Sequence, residues 1–118
     1  MTNSAPTSNK TVLITGCSTG IGRATARRLA GSGHDVWAPA RKLDTIADLE
    51  QDGCRILQLD VTDEASMAAS VKAVEAESGA VDVLVNNAGY SQSGAVETVS
   101  GEAMRRQFET NVFGLVRM

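Results

Sequence analysis

The sequence is poor in cysteine, aromatic side chains and long apolar runs, and each shortage narrows what the chain can be. Cys17 and Cys54 are its only cysteines. They are too few for a disulfide framework and lack the paired spacing of a zinc site, so each is read as a small buried apolar residue and no metal site is expected. The aromatics are Trp37, Tyr90, Phe108 and Phe113, too sparse for the stacking platforms that bind single-stranded nucleic acid. Apolar runs such as Val12-Leu13-Ile14 are far shorter than the roughly 20 residues of a membrane-spanning helix, so no membrane partner is expected. Excess positive charge is also missing: eleven basic side chains face fourteen acidic ones, for a net charge of −3, which argues against nucleic acid as a partner. The start, MTNSAPTSNK, has neither the charged nor the apolar region of a secretory signal. Residues 1–9 are expected to form a disordered polar tail, and the location is expected to be cytoplasmic.

What is present has an ordinary globular composition: 118 residues, 42% hydrophobic and 21% charged, enough for one domain and too few for two. Thr11 to Thr15 is a β-branched run ending at Gly16, the pattern of a strand buried on both faces. A helix follows from Gly20 to Ser32, with Ile21, Ala24, Thr25 and Leu29 on one side and Gly31 and Gly33 closing it. Asp35 to Ala40 reads as a second strand, in which Pro39 limits pairing. Leu43, Ile46 and Ala47 predict a short helix, and Cys54 to Leu59 a third strand. Asp60-Val61-Thr62-Asp63-Glu64 supplies a cap and early acidic residues for a helix carrying Met67, Val71 and Val74. Val81 to Val85 is the fourth strand. A polar stretch then leads to a last helix with Met104, Phe108, Val112 and Leu115 at helical spacing.

Strands alternating with helices at this spacing imply right-handed βαβ units, hence an α/β fold with a parallel sheet and helices on both faces. Ligands in such sheets bind beyond the carboxyl ends of the strands, which here read Gly16, Ala40-Arg41, Asp60 and Asn86-Asn87. The turn from Thr15 to Gly22 is the richest of the four. Its glycines allow a tight turn and close approach to a phosphate, and the helix that follows offers unpaired N–H groups and a positive dipole end. The spacing G-x-x-x-G-x-G departs from the general dinucleotide fingerprint, and Arg23-Ala24 stand where a nucleotide-triphosphate loop needs Lys-Ser/Thr. A magnesium-dependent phospho-receiver is excluded as well, because the first strand ends in Thr15-Gly16 where that class needs an acidic pair.

The stretch TGCSTGIG resembles the cofactor loop of the short-chain dehydrogenase/reductase family, T-G-x-x-x-G-I-G. Three further matches follow in the family's order: Asp60 after the third strand, Asn86-Asn87-Ala88-Gly89 after the fourth, and Asn111 in the next helix. Taken singly, Asp60 also reads as a helix-start residue and Asn86-Asn87 as a turn. Asn111, inside a helical pattern and followed by Gly114, points to a kink or a water site. The resemblance implies a Rossmann-type sheet whose first four strands run in the order 3-2-1-4. It implies cofactor contacts from Gly16, Ser18, Thr19, Gly20, Ile21 and Gly22, from Asp60 and Val61, and from Asn87, Ala88 and Gly89. It also implies a catalytic role for Asn111, a small-molecule carbonyl or alcohol substrate, hydride transfer, and homo-oligomers of the full-length protein.

The residues themselves address which nicotinamide dinucleotide is used. An NAD site places a carboxylate at the end of the second strand, about 20 residues after the glycine loop, to bind the ribose 2′-OH. Here that place is held by Ala40 and Arg41. Arginine pairs with a 2′-phosphate through forked, charge-assisted hydrogen bonds, and Ser18 can add another, so NADP is expected in preference to NAD.

The family's proton-transferring Tyr-x-x-x-Lys pair is absent, because Tyr90 is followed four residues later by Gly94 and the lysines Lys10, Lys42 and Lys72 all precede it. In the family that pair comes after the asparagine-bearing helix. Residues 10–118 are therefore expected to be the N-terminal, cofactor-binding part of a longer Rossmann domain, with the fourth strand an open edge. A non-catalytic dinucleotide-binding or regulatory module is the alternative. The 118 residues by themselves are expected to turn over no substrate; steady NADPH oxidation by the purified chain with a panel of carbonyl compounds would overturn this.

Overall fold

Side chains that alternate between the two faces of buried strands set up two hydrophobic layers, one on each face of a sheet. The computed structural model describes residues 8–118. The expected tail lies outside the described residues as far as Thr7, and Ser8 and Asn9 are exposed. Strand β1 (Thr11–Ile14) is central, β2 is Asp35–Ala40, β3 is Arg55–Gln58 and β4 is Val83–Val85. All pair in parallel in the order β3-β2-β1-β4, as expected. Successive side chains of a strand point to opposite faces. Val12 and Ile14 accordingly join Val36, Ala38, Ile46 and Leu49 in one layer, while Leu13 and Trp37 meet Val74 in the other.

Helix α1 (Gly20–Gly31) covers the first layer and α2 (Glu64–Ser78) the second. The face α1 turns to the sheet differs from expectation. Gly22 and Ala26 are buried and Leu29 and Ala30 partly so, whereas Ile21 is 79% exposed. A one-residue offset rotates a helix by about 100°, and here small residues face inward because the first turn of α1 lies too close to the sheet for a large side chain. The helix expected around Leu43 to Ala47 is a pair of 3₁₀ turns, Leu43–Thr45 and Ala47–Asp52. With three residues per turn, Ile46 and Leu49 align and are both fully buried, and Leu43 is left 46% exposed. Both cysteines are buried, as expected.

Pro39 lacks an N–H, and pairing between β1 and β2 ends at Leu13 and Trp37. On its other side β2 continues through Pro39 opposite Leu57 of β3. β4 is shorter than the Val81 to Val85 expected, because Asp82 is used to start it: its carboxylate accepts the Thr11 N–H at 2.8 Å and its own N–H donates to the Thr11 carbonyl at 3.0 Å. At the same end of the sheet, Trp37 Nε1 donates to the Ser78 hydroxyl at 3.0 Å. Ser78 in turn bonds Asp35, which also pairs with Arg55 at 2.9 Å. These contacts tie the last turn of α2 to β2 and β3.

The last helical region has three parts: α3 (Gly101–Phe108), a π-helical segment Glu109–Gly114, and one final turn, Leu115–Arg117. Its expected apolar residues are largely uncovered, with Phe108 55% and Met104 44% exposed. β4 lies at one edge of the sheet. Among the described residues no helix is long and apolar enough to cross a membrane.

Asp63 is the N-cap of α2, and its carboxylate accepts the N–H groups of Ala65 at 3.0 Å and Ser66 at 3.4 Å. Asp63→Ala is expected to cost about 1 kcal/mol, read as a lower urea midpoint with an unchanged slope.

Candidate functional site

The carboxyl ends of β1 and β4 are joined by a single side chain. Thr15, 1% exposed, turns its hydroxyl under the chain that leaves β4. The Asn87 and Ala88 N–H groups donate to it at 3.0 and 2.9 Å, and it donates to the Val85 carbonyl at 3.5 Å. The Asn87 side-chain amide completes the join by donating to the carbonyls of Thr15 at 3.1 Å and Gly16 at 3.0 Å. Buried backbone N–H groups need partners, and here one hydroxyl serves two of them.

This join leaves no room for side chains at two positions of the glycine loop. Gly16 has φ +73°, and a Cβ there would stand 2.9 Å from the Ala88 Cα. A Cβ on Gly22 would stand 2.4 Å from both the Gly16 carbonyl oxygen and the Asn87 amide nitrogen. The loop can therefore pass directly beneath Ala88 and enter α1 at once. Thr19, the N-cap of α1, makes no side-chain cap, and the first turn carries no acidic residue. The free N–H groups and the positive end of the helix dipole are thus left facing the cleft, an arrangement suited to an anion.

The cleft, about 1210 Å³, runs along the carboxyl ends of all four strands. It is lined by Gly16, Ser18, Thr19, Gly20, Ile21, Arg41, Asp60, Val61, Asn87, Ala88 and Gly89. Eleven of the thirteen residues singled out from the sequence therefore line one cleft. Gly22 lies behind the loop, and Asn111 behind Gly89 and Tyr90. The exposed Ile21 is part of this lining, which accounts for its absence from the core. Ala40, Leu59, Thr62, Tyr90, Arg106, Glu109 and Thr110 also line the cleft.

Arg41 and Asp60 share one rim because the Leu59 N–H donates to the Ala40 carbonyl at 3.0 Å, drawing the ends of β2 and β3 together. Asp60 Oδ1 accepts the Thr62 hydroxyl at 2.6 Å and the Thr62 N–H at 2.9 Å. These bonds, with the Arg41 guanidinium beyond them, hold the Asp60 carboxyl below the usual carboxylate range. Cys17 lies within the glycine loop but behind the cleft wall, its thiol donating to the Ile14 carbonyl at 3.0 Å. Burial pushes that thiol up to about 12, so it carries no thiolate at neutral pH.

Asn111 stands in the π-helical segment, and both ends of its amide bond the Tyr90 backbone. Oδ1 accepts the Tyr90 N–H at 3.0 Å and Nδ2 donates to the Tyr90 carbonyl at 2.7 Å. Gln107, one turn earlier, donates to the same carbonyl at 3.2 Å. Because an amide side chain carries one donor end and one acceptor end, it matches a backbone N–H and C=O of one residue. Asn111 thereby holds the chain just after Asn87-Ala88-Gly89 against the last helix.

Sequence reasoning missed Thr15, Tyr90 and Gln107. The signal at Thr15 was a hydroxyl where valine would serve a buried strand equally well. Gln107 offered only its spacing of four from Asn111.

A four-strand parallel sheet ordered 3-2-1-4, covered on both faces and opening into a glycine loop, defines a Rossmann-like protein. The family model described as short chain dehydrogenase matches residues 10–118, and the chain belongs to that family of oxidoreductases. It is 46% identical over 114 residues to oxidoreductase calM of Penicillium decumbens, a match covering 92% of the chain and 38% of the relative. A solved short-chain dehydrogenase from Streptomyces avermitilis superposes with TM-score 0.86 at 41% identity, over 93% of the chain and 42% of that protein. The actinorhodin polyketide ketoreductase, solved as its F189W variant with NADPH, superposes with TM-score 0.85 at 36% identity, over 92% of the chain and 44% of that protein. The chain thus spans about two-fifths of the length of these relatives.

Removing the Thr15 hydroxyl strands two N–H groups. Thr15→Val is expected to cost about 2 kcal/mol in denaturant unfolding, and Thr15→Ser to retain most of the stability; equal stability of the two variants would show that the hydroxyl is dispensable.

Proposed function

We propose that this chain forms the cofactor-binding part of an oxidoreductase that transfers a hydride between NADP(H) and the carbonyl or secondary alcohol carbon of a small-molecule substrate. The observation that carries the reading is the shape and charge of the cleft wall: a glycine loop admitting no Cβ at Gly16 and Gly22, an uncapped helix start, and a guanidinium at the end of β2. The first two suit a pyrophosphate. Gly16, Ser18, Thr19, Gly20 and Ile21 would hold it, with Gly22 allowing the loop to lie flat against Asn87.

The cofactor, when bound, would supply or accept the hydride; the rest falls to the protein. Asp60, kept ionised by Thr62, is suited to accept hydrogen bonds from an adenine amino group, with Val61 beside it. Asn87, Ala88 and Gly89 form the opposite wall, and Asn111 fixes that wall through Tyr90. Asn111 is thereby the one catalytic-site position within the chain that the reading uses.

Arg41 distinguishes the two dinucleotides. The end of β2 carries no carboxylate for a ribose 2′-OH, and Ala40 is buried. Arg41, with Ser18 lining the same cleft, suits a 2′-phosphate. The likeness to a ketoreductase solved with NADPH agrees with this without deciding it. The exposed apolar side chains of α3 and the π segment support the reading that the full-length protein forms homo-oligomers.

Arg41→Ala is expected to weaken NADP(H) binding by about ten- to a hundredfold, the worth of a charge-assisted contact, while NAD(H) changes by less than about twofold. Calorimetric titration of both cofactors decides the matter, and an unchanged preference would sink the assignment.

A further inference from the structure

A set of polar contacts outside the cleft fastens the segment that follows Arg41. Arg23, one residue beyond Gly22, donates Nη1 to the Thr45 carbonyl at 3.1 Å and pairs through Nη2 with Asp48. One turn further along α1, Arg27 reaches Asp48 at 3.2 Å and Asp52 at 2.7 Å. Thr45 in turn closes on Lys42, whose carbonyl accepts the Thr45 N–H at 3.2 Å and hydroxyl at 2.7 Å. Direct contacts therefore run from the first turn of α1, through Thr45, to Lys42 and so to Arg41. Neither Arg23 nor Asp48 lines the cleft.

Exposed ion pairs contribute little to stability, but their geometry can still set where a turn stands. Arg23 is the less exposed of the two arginines, its side chain 20% accessible against 46% for Arg27. Its planar fork makes two contacts to the 3₁₀ segment, one to backbone and one to a carboxylate, which a single ammonium cannot reproduce in the same geometry. Because Arg23 follows Gly22 directly, it also references the Arg41–Lys42 turn to the glycine loop. Both walls of the space around Arg41 and Ser18 are thus registered on one helix end.

We infer that Arg23 and Asp48 are positioning residues for cofactor selectivity: they hold the Arg41–Lys42 turn in place before the ligand arrives, so that preference for NADP over NAD depends on them. The inference rests on the reading of Arg41 given above. When the tie is broken the turn must be ordered on binding, and that cost falls on the ligand that uses the turn. NAD, which has no 2′-phosphate, does not call on it.

The test is calorimetric titration of NADP⁺ and NAD⁺ into the protein expressed in its complete reading frame, for the native sequence, Asp48→Asn, Arg23→Lys, Asp48→Glu and Arg41→Ala. Asp48→Asn and Arg23→Lys are each expected to lower the NADP/NAD affinity ratio by about fivefold, through the NADP⁺ value, while Tm moves by only about two degrees. Asp48→Glu is expected to restore part of the ratio. In an Arg41→Ala background Asp48→Asn should change the ratio no further, since the two substitutions act on one interaction. An unchanged ratio in both variants, with Arg41→Ala still lowering it, overturns the positioning role alone. Equal weakening of both cofactors also overturns it, because that is what general loosening of the fold would do. If Arg41→Ala itself leaves the ratio unchanged, the reading of Arg41 fails and the positioning role falls with it.

Discussion

Three backbone groups at the carboxyl end of the sheet converge on the Thr15 hydroxyl, and the form of the cleft follows from that convergence. The Asn87 and Ala88 N–H groups have left the β4 ladder and would be stranded near the core without it. By accepting both, Thr15 draws the chain after β4 across the end of β1. Ala88 then sits so close to Gly16, and Asn87 so close to Gly22, that only glycine fits at either position. The loop is flat because the join is tight, and the start of α1 faces open space because the loop is flat. A β-branched residue serves twice here, completing a fully buried strand and supplying the polar atom that closes it.

The electrostatics of the cleft rest on the same frame. Free N–H groups at the start of α1, the Arg41 guanidinium and the Asp60 carboxylate come from three different segments, and only the parallel order β3-β2-β1-β4 brings them onto one rim. Positive character lies where the loop and β2 end, and negative character where β3 ends. The hydrogen bonds from Thr62 keep Asp60 an acceptor at neutral pH. Across the cleft, Asn111 and Gln107 grip the Tyr90 backbone, so the last helix, otherwise in thin contact with the sheet, is attached where the wall must be firm.

Much of this was legible in the residue pattern. A short β-branched run ending at Gly16 marked β1, since a strand buried on both faces does not show the polar alternation of an exposed sheet. The wall residues were legible because their chemistry is local: a glycine loop, an asparagine pair, an acid at a strand end. What pattern missed had other causes. Ile21 looked like a core residue, yet the closest helix–sheet approach is reserved for small side chains and a large one must face the cleft. Ile46 and Leu49, three apart, belong to a 3₁₀ geometry that helical periodicity does not separate from α. The partner of Asn111 is the Tyr90 backbone, 21 residues away in sequence, which no local pattern contains.

The sequence by itself determined the layered parallel sheet, the position of the glycine turn and the absence of a carboxylate at the end of β2, because burial periodicity and backbone freedom are properties of neighbouring residues. Only the tertiary structure decided that Thr15 is the join, that Gly16 and Gly22 face chain from beyond β4, that Asn111 spends its side chain on Tyr90, and that Arg23 and Asp48 fasten the turn after Arg41. Each of those is a contact between segments distant in sequence, and its energy exists only after the intervening chain has closed.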